Sequence, residues 1–224
     1  MIPISVPLSF ELKNLGLGFN MNPWYWTGYY LSAMLARVLF RFRLVHPERR
    51  LLDGPVILAM NHQSYLDPPL AGIASGREVY FLARKSLLDV PVLGWVLPRL
   101  NVVPVDQEGT DRSALKALIR IVKAGRATVV FPEGARTLDG QLQAVQPGLG
   151  FVIAKTLAPV LPMRIFGAHK ALPRKGGRLR LTRITIVVGA PIYFTEADLE
   201  PRSKELYQRL SERVMHAIAA LAIE

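Results

Sequence analysis

The chain reads VILAMNHQSYLD from Val56 to Asp67, and this stretch decides the fold. Residues 56–60 form a short apolar run, which is consistent with a buried strand. A polar block follows directly, at the point where such a strand ends. In α/β domains, the loops at strand ends carry the reactive side chains. The stretch therefore predicts a strand of an α/β domain with a functional loop at its carboxyl end.

The rest of the chain continues the alternation. From Leu51 onward, short β-branched runs alternate with helical stretches, which indicates an α/β sheet domain. The candidate strands are Val56–Met60, Val79–Ala83, Val102–Val105, Ala127–Phe131, Val160–Ile165 and Arg178–Val188. The clearest helices are Asp111–Ala124, capped by Thr110 or Asp111, and residues 203–222. We predict one domain, 47–224, preceded by a separate segment, 1–46.

The segment 1–46 contains an uncharged stretch, residues 14–36. Within it, Asn22 followed by Pro23 predicts the start of a helix that runs to about Arg43. The first turns of this helix are rich in Trp and Tyr, which suit the headgroup level of a bilayer, and its last turns carry arginines. We favour a helix lying in the membrane interface over one that spans the membrane or docks on the domain.

The composition excludes several classes of protein. Lys and Arg number 28 against 17 Asp and Glu, a net charge of +11, and 50% of the 224 residues are hydrophobic. The charge indicates an anionic partner, whereas the hydrophobic excess argues against a dedicated nucleic-acid binder. The absence of cysteine excludes disulfides and a thiolate nucleophile. The histidines are scattered without ligand spacing, so we expect no metal site.

Two residues of the block NHQSYLD have the chemistry of a catalytic pair. His62 is the natural proton acceptor near neutral pH. Asp67 follows at a separation that a tight turn can fold back, so that its carboxylate holds one imidazole nitrogen and leaves the other free. The alternative interpretation is a turn histidine and a helix-capping aspartate before Pro68.

A second polar block, FPEGAR at 131–136, follows another strongly apolar strand and enters a turn at Gly134. Arg136 offers a planar donor fork to a phosphate group. Glu133 has three interpretations: it holds the loop, it positions Arg136, or it is a plain surface carboxylate.

Together, the blocks NHQSYLD and FPEGAR resemble the glycerolipid acyltransferase family, and the resemblance extends over most of 51–195, with weaker similarity at 103–106, 158–162 and 189–192. The chain departs from the family pattern at Ala135, where Thr is usual, and at Gln107, where an Arg credited with contacting the acceptor phosphate is common. Arg112 is the candidate substitute for that Arg. The resemblance implies an α/β fold, a mixed sheet flanked by helices, with an N-terminal membrane-associated helical segment.

The resemblance also implies an O-acyltransferase that moves an acyl chain from acyl-CoA or acyl carrier protein to the 2-hydroxyl of lysophosphatidic acid. His62 is then the base and Asp67 its partner. The implied substrate-binding residues are Glu133, Gly134, Arg136 and Arg112. Backbone N–H groups near Gly134 are candidates for stabilising the oxyanion. No cofactor is required, because the thioester is already activated.

The expected partners are lysophosphatidic acid, the acyl donor and an anionic membrane surface, with the protein monotopic or peripheral at the cytoplasmic face. Two alternatives stay open: a family member acting on another lysolipid or polar acceptor, and a non-enzymatic anionic-lipid-binding protein. The stretch 164–183 is strongly basic and contains no acid. It is either a solvated face or a patch that faces a membrane or the phosphates of CoA. Its single aromatic residue, Phe166, argues against nucleic acid as a partner.

Overall fold

The computed structural model describes residues 22–105, 112–174, 178–201, 203 and 205–223. In these residues a mixed sheet carries helices on both faces. The strands are β1 Arg43–Val45, β2 Val56–Met60, β3 Val79–Arg84, β4 Val102–Val105, β5 Ala127–Val130, β6 Val160–Phe166 and β7 Thr185–Val188. The helices are α1 Pro23–Phe40, α2 Asp67–Ser75, α3 Pro91–Val96, α4 Arg112–Lys123, α5 Gly148–Thr156, α6 Ala168–Ala171 and α7 Leu206–Ala220.

The strands form a 7-stranded sheet in the order β1-β7-β6-β2-β5-β3-β4. From β6 to β4 all neighbours are parallel, whereas β7 runs antiparallel to β6 and carries β1 parallel to itself. Strand β2 lies between β5 and β6. Because the carboxyl ends of parallel strands meet at one edge of a sheet, the loops that follow β2, β5 and β6 lie side by side.

The pleat of β2 divides its side chains between two cores. Val56, Leu58 and Met60 pack with α1 and α2 on one face of the sheet. Ile57 and Ala59 pack with α4, α5 and α7 on the other face. Every residue of β2 is buried. A strand covered on both faces needs an uninterrupted apolar run, which is the pattern of residues 56–60.

The predicted strands are confirmed, with one exception. Only Thr185–Val188 of the predicted strand Arg178–Val188 is a strand, because all of β7 is buried between two neighbours while residues 178–181 are exposed and unpaired. The alternation of Arg and Leu in that stretch imitates a strand pattern. Strand β1 was not predicted from the sequence, since it is short and depends on pairing with the distant β7.

The two predicted helices of the domain are also present. The helix expected at Asp111–Ala124 is α4, and the helix expected at 203–222 is α7. Gly125 follows α4 with a positive φ of 75°, a backbone conformation that favours glycine and ends the helix. The caps proposed at Thr110 and Asp111 lie outside the described residues, as does Gln107.

Helix α1 begins at the predicted cap, because the side chain of Asn22 accepts the N–H groups of Trp24 and Tyr25. Its aromatic side chains do not all lie where the sequence suggested. Tyr25 and Trp26, expected at a headgroup level, are buried in the core. The Tyr25 hydroxyl donates to the Arg77 carbonyl oxygen at 3.1 Å. Residues 22–45 therefore share a core with the predicted domain 47–224.

The opposite face of α1 is exposed and apolar. Its exposed side chains include Trp24, Leu31, Met34, Leu35 and Val38. Arg37 lies among them near the end of the helix. No helix in the described part of the chain is both long enough and apolar enough to cross a bilayer.

Candidate active site

The site is built where β2 and β5 end next to each other. His62 belongs to the loop after β2, and Phe131 follows β5 directly. The two rings stack with centroids 4.0 Å apart and an interplanar angle of 15°. This stacking fixes the imidazole plane from one side. The parallel pairing of β2 with β5 thus brings the two sequence blocks together.

The second restraint on His62 comes from Asp67. Its Oδ2 lies 2.7 Å from His62 Nδ1. The same oxygen accepts the backbone N–H groups of Gln63 and Ser64. Asp67 is the first residue of α2 and is completely buried, so its carboxylate turns back over the loop as the sequence predicted. Among the described residues, His62 Nε2 has no hydrogen-bond partner and is left for a substrate.

Glu133 is occupied by protein groups at both carboxylate oxygens. Oε1 accepts the N–H of His62 at 2.8 Å, and Oε2 accepts the backbone and side-chain N–H groups of Gln143 at 3.0 and 3.2 Å. Burial raises the pKa of this carboxyl group, and these hydrogen bonds oppose the rise. The geometry favours the interpretation that Glu133 holds the loop over a direct contact with substrate.

Gly134 shapes the turn between Glu133 and Arg136. Its φ of 70° lies in the left-handed region, and a Cβ there would meet the side chain of Gln146 at 3.2 Å. Its N–H donates to the Phe131 carbonyl oxygen at 3.1 Å, so this group is unavailable to an oxyanion. The next two N–H groups, of Ala135 and Arg136, donate to no acceptor within the described ranges. They are the open donors at this turn.

Arg136 lies against the ring of Tyr65, with the guanidinium carbon 3.4 Å from the ring centroid. Its Nη1 is buried and has no hydrogen-bond partner among the described residues. Arg174 approaches from the segment after α6 and donates from its own Nη1 to the Arg136 carbonyl oxygen at 2.6 Å. A stacked, unpartnered guanidinium is suited to an anion with two oxygens to offer.

Arg112 is not among the residues that contact this group. It is the exposed first residue of α4. Strand β4 runs parallel to β2, so the carboxyl ends of both strands point to the same edge of the sheet. Helix α4 is the next element after β4, and the His62 loop follows β2 at that same edge. Gln107, the position that prompted the choice of Arg112, lies outside the described residues.

Three contributors to the site were missed in the sequence. Asn61 exchanges two hydrogen bonds with the backbone of Ile165 and ties the His62 loop to β6. Tyr65 forms the platform for Arg136. Arg174 supports the same residue from a different loop. Asn61 and Tyr65 stand inside the block NHQSYLD, so their position was a usable signal, whereas nothing local marks Arg174.

An apolar cavity of about 400 Å³ opens beside the His62 loop. It lies between α1, α2, β3 and the segment around α3, and its wall includes Gly28, Tyr65, Pro68, Gly72, Phe81 and Leu97. Tyr65 therefore contacts Arg136 and also forms part of the cavity wall. Within the described ranges, no three His, Asp or Glu side chains are grouped so as to hold a metal ion.

The chain belongs to the acyltransferase family, whose model matches residues 41–166. The match contains His62, Asp67 and the FPEGAR block. The resemblance to glycerolipid acyltransferases that these blocks carry is thereby confirmed.

The curated relatives bear a more particular name. The chloroplast 1-acyl-sn-glycerol-3-phosphate acyltransferase BAT2 of Brassica napus is 32% identical over 158 residues, which cover 68% of this chain and 46% of the relative. The 1-acyl-sn-glycerol-3-phosphate acyltransferase of Bacillus subtilis is 23% identical over 168 residues, covering 72% of this chain and 80% of the relative. The chain spans less than half the length of the chloroplast relatives from Brassica and Arabidopsis that it matches.

A solved structure supports the fold. The crystal structure of the 1-acyl-sn-glycerophosphate acyltransferase PlsC from Thermotoga maritima matches with a TM-score of 0.69 at 24% identity, covering 99% of this chain and 91% of that chain. The predicted fold class, a mixed α/β sheet flanked by helices, is confirmed by this match and by the strand order.

Proposed function

We propose that this chain transfers an acyl chain from a thioester, on CoA or acyl carrier protein, to the 2-hydroxyl of lysophosphatidic acid, yielding phosphatidic acid. The observation that carries the proposal is the state of His62, whose Nδ1 is held by buried Asp67 while Nε2 has no partner in the described chain. Relatives named for this reaction support the choice of substrates.

The chemistry needs one base and no acyl-enzyme. His62 Nε2 takes the proton of the acceptor hydroxyl as its oxygen attacks the thioester carbonyl carbon. The negative charge of Asp67 stabilises the imidazolium that results. When the tetrahedral intermediate collapses, the C–S bond breaks and the imidazolium returns the proton to the leaving sulfur. No cofactor is needed, since the thioester supplies the activated acyl group.

Two kinds of negative charge must be stabilised during this reaction. The oxyanion of the intermediate requires preorganised N–H donors, and the open N–H groups of Ala135 and Arg136 are suited to that task. The acceptor phosphate requires a cation with a donor fork, and Arg136 stacked on Tyr65 provides it. Arg112 is proposed as a second phosphate-binding residue on the same edge. Glu133 and Gly134 act by holding the loop.

The apolar cavity beside the loop is suited to a fatty acyl chain. Its walls are almost entirely apolar, and it holds about 400 Å³. An acyl chain inserted there would pass Tyr65 and Pro68, which precede and follow Asp67 in the sequence. A hydrocarbon leaves water when it enters such a cavity, which favours binding. The cavity therefore supports a lipid substrate over a small polar one.

We further propose that the protein binds the cytoplasmic face of an anionic membrane through the exposed face of α1. Lysophosphatidic acid stays in the bilayer, so the cavity must open towards lipid. Exposed Trp95 of α3 packs edge-on against exposed Trp24 of α1 at 5.4 Å, and Arg99 lies 4.2 Å over the Trp95 ring. Tryptophan and arginine beside exposed aliphatic side chains are typical of a membrane-interface surface.

The proposed reaction can be tested with the purified full-length chain. The acyl donor is either acyl-CoA or acyl carrier protein loaded with an acyl group. The acceptor is lysophosphatidic acid, another lysolipid or monoacylglycerol, and the lipid products are identified by mass spectrometry. We expect phosphatidic acid as the main product, and none with His62→Ala. A preference for another acceptor would replace the substrate but keep the mechanism. Binding to anionic vesicles with no acyl transfer to any acceptor would make the chain a lipid-binding protein and refute the proposal.

A further inference from the structure

A second cavity, of about 560 Å³, lies on the other side of the catalytic loop. Among the described residues it shares no lining residue with the apolar cavity. It forms where β6 and β7 meet the residues that follow α7, and its wall includes Gln63, His169, Lys170, Thr182, Arg183 and Ile223. The stretch 164–183, whose role the sequence left open, thus provides much of the wall.

The cavity is joined to the site of chemistry by hydrogen bonds. Gln63, the neighbour of His62, donates from Nε2 to the Gly140 carbonyl oxygen at 3.1 Å and accepts the His169 N–H at 3.3 Å. The Thr137 N–H donates to the His62 carbonyl oxygen at 2.8 Å. A ligand that contacts the wall at His169 or Gly140 is therefore linked through Gln63 to the base, His62, which is the preceding residue.

The backbone of the cavity is shaped by close approach. Gly167 has a φ of 86°, and a Cβ at this position would lie 2.2 Å from the Arg183 carbonyl oxygen. Gly140 has a φ of 87°, and a Cβ there would meet the His169 ring at 3.2 Å. Two wall segments therefore depend on the absence of a side chain.

The cavity offers more donors and positive charge than the protein itself uses. The side chains of Lys170 and Arg183 have no hydrogen-bond or ion-pair partner in the described part of the chain, and both line the cavity. His169 Nδ1 and Thr182 Oγ1 are buried, and neither has a partner there. Asp139, an acid that lines the wall, is already engaged: it accepts hydrogen bonds from Thr137 and Gln141, and these bonds lower its pKa.

We propose that this basic cavity binds the phosphate of the phosphopantetheine arm on which the acyl donor is carried. The inference rests on the proposed function. Tyr65 lines the apolar cavity and stacks against Arg136, which is assigned to the acceptor phosphate, so the donor carrier needs a separate anion site. CoA and acyl carrier protein share the phosphopantetheine group, and both arrive from water. Unpartnered cations and a buried hydroxyl are suited to a phosphate.

The direct test compares two ligands that differ by one phosphate. Dissociation constants of phosphopantetheine and pantetheine are measured by titration calorimetry for the wild-type chain, Lys170→Gln, Arg183→Gln, the double variant and Arg180→Gln. Arg180 is an exposed cation of the same stretch outside the cavity wall, so its variant is the matched control. Thermal unfolding of each variant verifies the fold.

We expect wild type and Arg180→Gln to bind phosphopantetheine at least about tenfold more tightly than pantetheine, a difference of about 1.4 kcal/mol. The double variant should lose this preference, and each single variant should lose part of it. A wild-type chain that binds the two ligands equally, or a folded double variant that retains the preference, overturns the inference.

Turnover separates this inference from the proposed function. In the double variant, the ratio of kcat/KM for acyl-phosphopantetheine to that for acyl-pantetheine should fall, while the ratio for lysophosphatidic acid to monoacylglycerol stays at its wild-type value. A fall in the second ratio instead would place the acceptor phosphate in the cavity and overturn the inference. Phosphate-dependent binding without any acyl transfer would refute the proposed function alone.

Discussion

The substitution Asp67→Asn tests the catalytic pair most sharply, because the structure dictates how an amide would sit. The Oδ2 position faces the ring Nδ1 of His62 and the backbone N–H groups of Gln63 and Ser64. An amide oxygen can accept from these backbone N–H groups and an amide NH₂ cannot, so the oxygen must occupy this position. The NH₂ group is then placed at Oδ1, which is buried and has no hydrogen-bond partner in the described part of the chain. The imidazole keeps its orientation, and only the negative charge beside it is lost.

Two costs follow from this geometry. A buried NH₂ group without an acceptor destabilises the fold by about 1–3 kcal/mol, which a domain of ordinary stability tolerates. In the reaction, the imidazolium loses its counter-charge. Because base catalysis of this kind contributes about 10²–10⁴ in rate, we expect kcat to fall by about that factor, or about 3–5 kcal/mol of barrier. KM should change little, since Asp67 touches no substrate.

The assay measures kcat and KM in one micelle system for wild type, Asp67→Asn, His62→Ala and Asp53→Asn. Asp53 is an exposed carboxylate of a different loop, and its variant should match wild type. His62→Ala should show no turnover above background, with Asp67→Asn between the two. A folded Asp67→Asn protein whose kcat stays within about threefold of wild type would refute the assigned role.

Three further predictions concern the phosphate site, the loop and the membrane. Arg136→Lys should lower kcat/KM for lysophosphatidic acid more than for monoacylglycerol, because one ammonium cannot replace the guanidinium fork; equal losses would exclude a phosphate contact. Since burial raises the Glu133 pKa, its contribution to stability is present below the ordinary value of 4.5 and is lost as pH rises through the raised value. The urea midpoint of wild type relative to Glu133→Gln should therefore fall from pH 4 to 7, and a constant difference would contradict this reasoning. The double substitution Leu31→Asn with Val38→Asn should reduce vesicle flotation with unchanged thermal unfolding, because both side chains are exposed; undiminished flotation would exclude this face as the anchor.

Local sequence signals predicted most of the fold, and long-range pairing accounts for what they missed. The apolar run of β2 and the cap of α1 are each defined by a few neighbouring residues, so each could be predicted from the local sequence. Strand β1 exists only because residues far along the chain supply β7 as its neighbour. The stretch 178–181 has strand-like alternation but no neighbouring strand pairs with it. A strand is a property of a pair, so its ends cannot be fixed from one partner.

The candidate site shows the same division. The contact between His62 and Asp67 closes within one turn, and the sequence spacing was sufficient to predict it. The hydrogen bond from the His62 N–H to Glu133 joins positions 71 apart, and it depends on β2 and β5 being neighbours. Arg174 reaches Arg136 from a third loop, after β6. Residue types alone left Glu133 with three interpretations, and only the fold favours one of them.

The unusual composition of α1 is explained by two different apolar neighbours. A helix that is apolar on all sides is ordinarily buried in a protein core or surrounded by lipid. In α1 one face, with Tyr25, Trp26 and Phe40, is buried against the sheet, whereas Leu31 and Val38 on the other face remain in contact with solvent. Packing against the sheet therefore buries only one face of the helix. Removing the exposed aliphatic side chains of the other face from water is favourable. A bilayer surface accommodates them without disturbing the buried face, and the apolar cavity, whose wall includes Gly28 of the same helix, then opens beside the lipid that holds its substrate.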